Sequence, residues 1–405
     1  MLQTVSEPAR VDGHRVVPRG AKKRSLLVTL HLCLGLSLGA LLVLIGISGS
    51  VMVFRYELER TFFPALTHST GSGSGDLDTC LAAAQAVNPQ KSVRSLRLPV
   101  NADGTLEWLT IPVGQTTKDR ATTVYTDPHT CAVLGTRGPR KDAMSFLVNF
   151  HHGLLVGKKG AYLQTAVAIA AIFLAISGLI QWWPKSWTWS RLQPRASARP
   201  LHYALGFWAM WPLLLIATSA IYMAWRLEIN KTLLGETNPK IAAPTKPKAQ
   251  PGTSDNAAAG KKPAATFSLS AVMDAAHAAK PNATWRILTL PQKPNEPFTI
   301  LYQLPGEYGR TGNNQLSLKS NSHGTVDVTA VSELHLSSRM NRLLTELMQI
   351  HYGEFGGFTT RLLWCFTGFI PAVLFFSGLL MWQRRAQMEA ASLTLIAARF
   401  SNQVR

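Results

Sequence analysis

Four long apolar runs divide this chain: Leu26 to Phe54, Ala161 to Trp183, Leu201 to Trp225 and Leu362 to Trp382. Each reaches the roughly 20 residues of helix that a hydrocarbon core requires, so the pattern predicts four transmembrane helices. Between the first and second runs the period changes. Leu77 to Val87 has helical spacing, and Ser92 to Leu98, Leu106 to Val113 and Ala121 to Tyr125 read as strands before a turn signal at Asp127-Pro128-His129-Thr130. Between the third and fourth runs the same order returns, with a helix over Leu269 to Ala279 and strands over Trp285 to Leu290, Pro297 to Leu304 and Gln315 to Leu318. Each of these segments reads as a small α+β domain with an antiparallel sheet.

Composition fits a membrane bundle that carries polar domains: 46% of the 405 residues are hydrophobic and 16% are charged. The net charge of +19, from 41 Lys and Arg against 22 Asp and Glu, does not form the stripe beside aromatic platforms that nucleic acid needs. Lys22-Lys23-Arg24, Arg195, Arg199 and Arg384-Arg385 gather instead at the ends of apolar runs, where anionic headgroups lie. That bias assigns the N-terminal tail, the loop from Pro184 to Pro200 and the C-terminal tail to the cytoplasm of a bacterial inner membrane. The two α+β segments then face the periplasm. The first run is long for a signal-peptide core and continues into Arg55-Tyr56-Glu57 without a small-residue cleavage site, so it reads as a retained anchor.

The chain also matches itself. At an offset of 200, His151 falls on His351, Gly153 on Gly353, Gly157 on Gly357, Ser177-Gly178-Leu179 on Ser377-Gly378-Leu379 and Trp182 on Trp382. At an offset of 171, His31 falls on His202, Gly35 on Gly206, Ser48 on Ser219, Met52 on Met223, Arg55 on Arg226 and Glu57 on Glu228. The unit is helix, domain, helix, used twice in one orientation. The organisation expected is a tail (1–25), helix one (26–56), domain one (57–143), a His-bearing interfacial segment with helix two (144–184), a loop (185–200), helix three (201–227), a linker with domain two (228–338), a second interfacial segment with helix four (339–383) and a tail (384–405). Asn238 to Ala265, rich in Pro, Ala, Lys, Gly and Thr, has the composition of a flexible, solvated linker.

Ionisable residues inside membrane helices are costly and point to function. His31 and His202 are such residues at matching depth, each opening a His-x-x-x-Gly pattern that places Gly35 or Gly206 one turn along. Imidazole is an axial ligand for haem iron. A glycine four residues on clears the same helix face for a flat macrocycle. The competing reading is a polar clasp between helices, contributing about 1 kcal/mol. His151 and His351 each precede an apolar run by about ten residues and form a second matched pair at the outer interface. His152 aligns with Tyr352, so His151 takes the symmetric role, with His152 as an alternative ligand or a neighbouring proton donor. His14, His68, His129, His277, His323 and His335 do not cluster in the sequence and read as surface residues.

Other motifs exclude more than they assign. Gly153-Leu-Leu-Val-Gly157-Lys158 is one residue short of a phosphate loop and lacks the following Ser or Thr. No dinucleotide fingerprint, paired-cysteine metal spacing or nucleophile elbow is present. Cys33 and Cys365 fall in apolar runs and read as small buried residues. Cys80 and Cys131 share the first outward segment, whose compartment permits a disulfide without requiring one.

These residues resemble one family. His31-Leu-Cys-Leu-Gly-Leu leading to Gly49-Ser-Val-Met-Val-Phe-Arg-Tyr-Glu-Leu is similar to the first span of PepSY-associated transmembrane proteins. Phe150-His-His-Gly-Leu-Leu-Val-Gly-Lys-Lys-Gly, ending in Ser177-Gly-Leu-Ile-Gln-Trp-Trp-Pro, is similar to their second. Tyr125-Thr-Asp-Pro-His-Thr-Cys-Ala-Val-Leu-Gly resembles the closing strand and turn of a PepSY domain, with Cys131 where the family has Gly, which favours the Cys80–Cys131 bridge. In the second domain Pro305-Gly-Glu matches, whereas Ser320-Asn-Ser-His-Gly departs from the family's Asp-Pro turn.

The resemblance implies a four-helix membrane bundle with two small PepSY-like periplasmic domains. It further implies a b-type haem protein, with two haems, that reduces ferric siderophores and so serves iron uptake. The implied axial ligands are His31, His202, His151 and His351. Electrons are expected from quinol or a separate reductase. Two rivals remain at this point, a non-enzymatic module that binds a periplasmic protein and a transporter component.

Overall fold

The computed structural model describes residues 26–73, 75–113, 121–138, 142–183, 187–234, 267–293, 296–320 and 325–403. The basic run Lys22 to Arg24, the linker from Asn238 to Ala265, His14 and His323 lie outside the described residues.

The apolar runs are helical. They form α1 (Leu26–Ser37) with α2 (Gly39–Val53), α7 (Lys158–Trp182), α9 (Ala198–Ala224) and α13 (Gly357–Gln403). Three are single helices long and apolar enough to cross a membrane, and the first run is a fourth candidate bent by 54° between α1 and α2. One transmembrane helix over 26–56 was expected there. The bend falls between Ser37, whose hydroxyl donates to the Cys33 carbonyl at 2.7 Å, and Gly39. Gly39 follows, and a Cβ there would lie 2.6 Å from the Phe375 ring of α13, so the bend sits where only glycine lets the two helices approach.

The expected C-terminal tail from residue 384 continues the fourth helix. α13 runs 47 residues to Gln403. Its extension contains no Gly or Pro, and Arg385 reaches Glu389 one turn on at 2.9 Å, so nothing stops the helix where its apolar face ends.

Short helices join the bundle to the polar layer: α3 (Arg55–Phe62), α4 (Pro64–Thr67), α6 (Ala143–Gly153), α8 (Trp189–Leu192), α10 (Arg226–Leu234) and α12 (Arg339–Tyr352). The polar layer holds α5 (Leu77–Ala86) with β1 (Lys91–Arg97), β2 (Leu106–Pro112), β3 (Thr122–Thr126) and β4 (Val133–Arg137). Its second half holds α11 (Leu269–Ala279) with β5 (Thr284–Thr289), β6 (Phe298–Gln303), β7 (Asn314–Ser320) and β8 (Val326–Ser332). Two of these strands were not among those read from the pattern. β8 alternates apolar and polar residues from Val326 to Ala330 but is exposed along nearly its whole length, and β4 is five residues interrupted by Gly135 at φ +153°.

Two small domains were expected, and their strands join: the eight strands among the described residues form one antiparallel sheet in the order β4-β3-β2-β1-β5-β6-β7-β8. β1 and β5 would each have been an edge with unpaired amides, and they satisfy one another through Ser95↔Thr289, Leu96↔Leu288 and Arg97↔Ile287. The join is symmetric. The Leu98 amide donates to the Arg286 carbonyl and the Leu290 amide to the Arg94 carbonyl, both at 2.9 Å. The pairing with the outer neighbour skips at Arg94 in one half and at Arg286 in the other. Leu96, Trp108, Leu269, Leu288, Ile300 and Leu316 belong to one buried cluster beneath α5 and α11, so the halves share a core.

The helix tips repeat the symmetry. Asp76 caps α5 and Ser268 caps α11. Each also reaches across: the Ser268 hydroxyl donates to Asp78 at 2.6 Å and the Ser270 hydroxyl to Asp76 at 2.5 Å. A Cys80–Cys131 disulfide ties α5 to the turn after β3.

A shared core predicts shared unfolding. Leu288→Ala should cost about 2–5 kcal/mol, and chemical denaturation followed by the sheet signal should remain a single transition for both halves. Two transitions, one of them untouched by the substitution, would show that the halves fold apart.

Candidate functional site

Each of the four repeat-matched histidines is delivered by a helix and meets a serine on another helix of its own repeat unit. His31, on the second turn of α1, bonds through Nδ1 to Ser177 Oγ of α7 at 2.8 Å. His202, at the same place on α9, bonds to Ser377 of α13 at 3.0 Å. His151 and His351 arrive on short helices. α6 starts at its Asp142 cap, ends in a left-handed turn at Leu154 and carries His151 in its last turn. α12 starts at its Ser338 cap, ends at left-handed Gly353 and carries His351 in its last turn. His151 Nδ1 meets Ser48 Oγ of α2, and His351 Nδ1 meets Ser219 Oγ of α9, both at 3.0 Å.

The pairs form two tiers. Ser219 follows His202 by 17 residues on the unbroken helix α9, which is about 25 Å at 1.5 Å per residue. Within the outer tier, nearer the sheet, the His151 and His351 rings have centres 6.3 Å apart at an angle of 53°. His152 lies 6.0 Å from His151, and Tyr352 lies 6.1 Å from His351, so each outer histidine has its own aromatic neighbour. At the other tier His31 and His202 stand at matching places on α1 and α9. Among the described residues, no three His, Cys, Asp or Glu side chains converge as a metal cage.

Glycines seat the rings. A Cβ on Gly178 would stand 3.2 Å from His31 Cε1, one on Gly378 3.4 Å from His202 Cε1, and one on Gly49 2.9 Å from His151 Cε1. Three of the four serines are thus followed by a glycine whose bare backbone accepts the imidazole edge, and the fourth is followed by Ala220. Gly35 and Gly206 behave differently. A Cβ there would find only a leucine methyl, at 3.8 Å from Leu174 and 4.0 Å from Leu374. Helix packing therefore does not require glycine at either position, and each leaves room beside its histidine.

The serines were the residues that sequence reasoning missed. They stood in the repeat match, as Ser48 with Ser219 and Ser177 with Ser377. A small polar residue recurring at one depth of an apolar helix was the available signal. The resemblance of residues 153–158 to a phosphate loop has a structural explanation: Gly157, at φ +63°, turns α6 into α7, and a Cβ on Gly160 would collide with the Gly153 carbonyl.

Charge collects between this site and the sheet. Glu57 on α3 accepts from Arg361 of α13 at 2.8 and 2.7 Å and from Arg310, beyond β6, at 2.5 Å. Burial pushes the Glu57 carboxyl up, yet the bonds from Arg361 and Arg310 overcome it and hold it at about 2. Arg361 also donates to the Val53 carbonyl at 2.7 Å, closing the end of α2. One carboxylate thereby fastens the sheet to two helices of the bundle.

The family described as the PepSY-associated TM region matches residues 28–385. The chain belongs to this family and is a multi-pass membrane protein. No curated protein matches it.

The glycine seats are testable without any ligand. Gly49→Ala should lower stability in detergent by the about 1–3 kcal/mol of overpacking, whereas Gly35→Ala should leave it unchanged. Equal stabilities for the two variants would remove the seat from the argument.

Proposed function

We propose that this member of the PepSY-associated transmembrane family is a b-type haem protein of the bacterial inner membrane that passes electrons across the bilayer to a ferric chelate of the siderophore kind. The observation that carries the reading is the outer histidine pair. An imidazole nitrogen binds a transition metal at about 2 Å and the ring centre lies about 1 Å beyond, so two rings sharing one metal from opposite sides stand about 6 Å apart. His151 and His351 stand 6.3 Å apart. Both have Nδ1 engaged by serine, which leaves Nε2 as the remaining donor atom.

The donor set fits haem better than a bare ion. Two imidazoles per tier, with no third His, Cys, Asp or Glu converging among the described residues, would suit a group that supplies the metal's other ligands itself. His31 and His202 would hold one haem, with the room beside Gly35 and Gly206 available to the macrocycle. His151 and His351 would hold the other, with His152 next to it. Bound haem supplies a one-electron couple whose potential depends on axial ligands, burial and hydrogen bonding. The chain's own residues orient the rings, exclude water with the surrounding apolar helices and fasten the sheet over the outer tier through Glu57.

Two features support the direction. Arg191, Arg195, Arg199, Arg384 and Arg385 lie on segments at the end of the bundle remote from the sheet, as the positive-inside bias expects of a cytoplasmic face. The Cys80–Cys131 disulfide lies on the sheet side, consistent with an oxidising periplasm. Quinol or a separate reductase would supply electrons at the inner tier. The ferric chelate would accept one electron near the outer tier and, as a weaker ferrous complex, release its iron.

Purified protein, expressed with ample haem, should show a Soret band that shifts on addition of dithionite and a pyridine haemochrome of the b type. His31→Ala and His202→Ala should each abolish the same half of the haem signal and leave the other half in place. Absence of haem from the wild-type protein would overturn the reading in favour of a binding module or transporter component.

A further inference from the structure

We infer that Ser48, Ser177, Ser219 and Ser377 are positioning residues that fix all four histidines in the tautomer with hydrogen on Nδ1, so that each presents an unprotonated Nε2. A serine hydroxyl has one hydrogen to donate and lone pairs with which to accept. Each of these hydroxyls spends its hydrogen on its own helix. Ser48 donates to Ile45 O at 2.8 Å, Ser219 to Leu215 O and Ile216 O at 2.7 and 2.9 Å, Ser377 to Val373 O and Leu374 O at 2.6 and 3.1 Å, and Ser177 to Leu174 O at 3.4 Å. With its hydrogen held by the helix carbonyl, such a serine accepts from the imidazole, and the Nδ1 atoms at 2.8 to 3.0 Å from these oxygens then carry the hydrogen.

The small residue after each serine lets the ring edge approach the helix surface: a Cβ on Gly49, Gly178 or Gly378 would stand 2.9 to 3.4 Å from the Cε1 of its histidine.

The tautomer follows from the protein alone. Its consequence for potential rests on the haem reading, because an axial imidazole whose Nδ1–H is held by an acceptor is a stronger donor to iron and favours the oxidised state. The acceptor role is held least firmly at Ser177, whose own helix bond is the longest of the four.

Two measurements test this and separate it from the haem proposal. Histidine-labelled protein in bilayers, observed by nitrogen-15 solid-state NMR, should show His31, His151, His202 and His351 as neutral Nδ1–H tautomers whether or not haem is present. An Nε2–H tautomer at any of the three tightly held sites would overturn the assignment. In haem-loaded protein, Ser219→Ala should raise the outer midpoint potential alone and Ser377→Ala the inner alone, each weakening haem retention about 10-fold, the lower end of the range for such supporting bonds. Ser219→Thr and Ser377→Thr should restore wild-type values. Unchanged potentials and retention in both alanine variants would reduce the serines to packing residues, even with haem present.

Discussion

A polar ring placed inside an apolar bundle has to find a partner there, because no water is available to it. Four imidazoles face that demand in this chain, and each meets it with a serine from another helix of its own repeat unit. The bond does more than satisfy a nitrogen. Sliding either helix by one turn would carry the serine about 5 Å away, so the four contacts set the vertical register of the helices. They also place the histidines in two tiers, and this arrangement gives the bundle chemistry as well as shape.

Duplication makes the tiers possible. One repeat unit supplies His31 and His151 and the other His202 and His351, so each tier needs both units. The units are held face to face by α2 on α13 and by α7 on α9. They are closed above by the single sheet. At the α2–α13 crossing the backbones nearly touch: a Cβ on Gly46 would lie 2.4 Å from the Gly368 carbonyl, and Ser50 donates to the Cys365 carbonyl at 2.7 Å. The repeat places Ala217 and Ala168 at the matching positions of α7 and α9, both buried. Glu57 between Arg361 and Arg310 reinforces the glycine side only. The two interfaces thus share a plan and differ in grip.

The same divergence marks the candidate site. Gly49 corresponds to Ala220, and His152 to Tyr352. The outer tier is therefore chemically lopsided around a symmetric histidine pair, and its surroundings include the arginine and glutamate cluster under the sheet. The inner end lies among aromatic rings instead, where Trp182, Trp187 and Phe207 pack with centres 5.1 to 6.0 Å apart. Tryptophan at such a level is characteristic of a membrane interface.

Periodicity and repetition in the sequence determined a great deal. Runs of apolar residues specified the spans, because hydrocarbon thickness imposes a length on any helix that crosses it. The offsets of 171 and 200 identified the four histidines and their relative depth, because depth follows directly from position along a helix. The bend at Leu38, the continuation of α13, the fusion of two expected domains into one sheet and the serine partners were settled only in three dimensions. Each of these depends on what a residue meets across space. The bend sits where Gly39 passes the Phe375 ring of α13, β1 is an interior strand only because β5 lies beside it, and Ser177 becomes a partner for His31 across 146 positions of chain. Local pattern records which face of an element is apolar. It carries no information about which neighbour will cover that face.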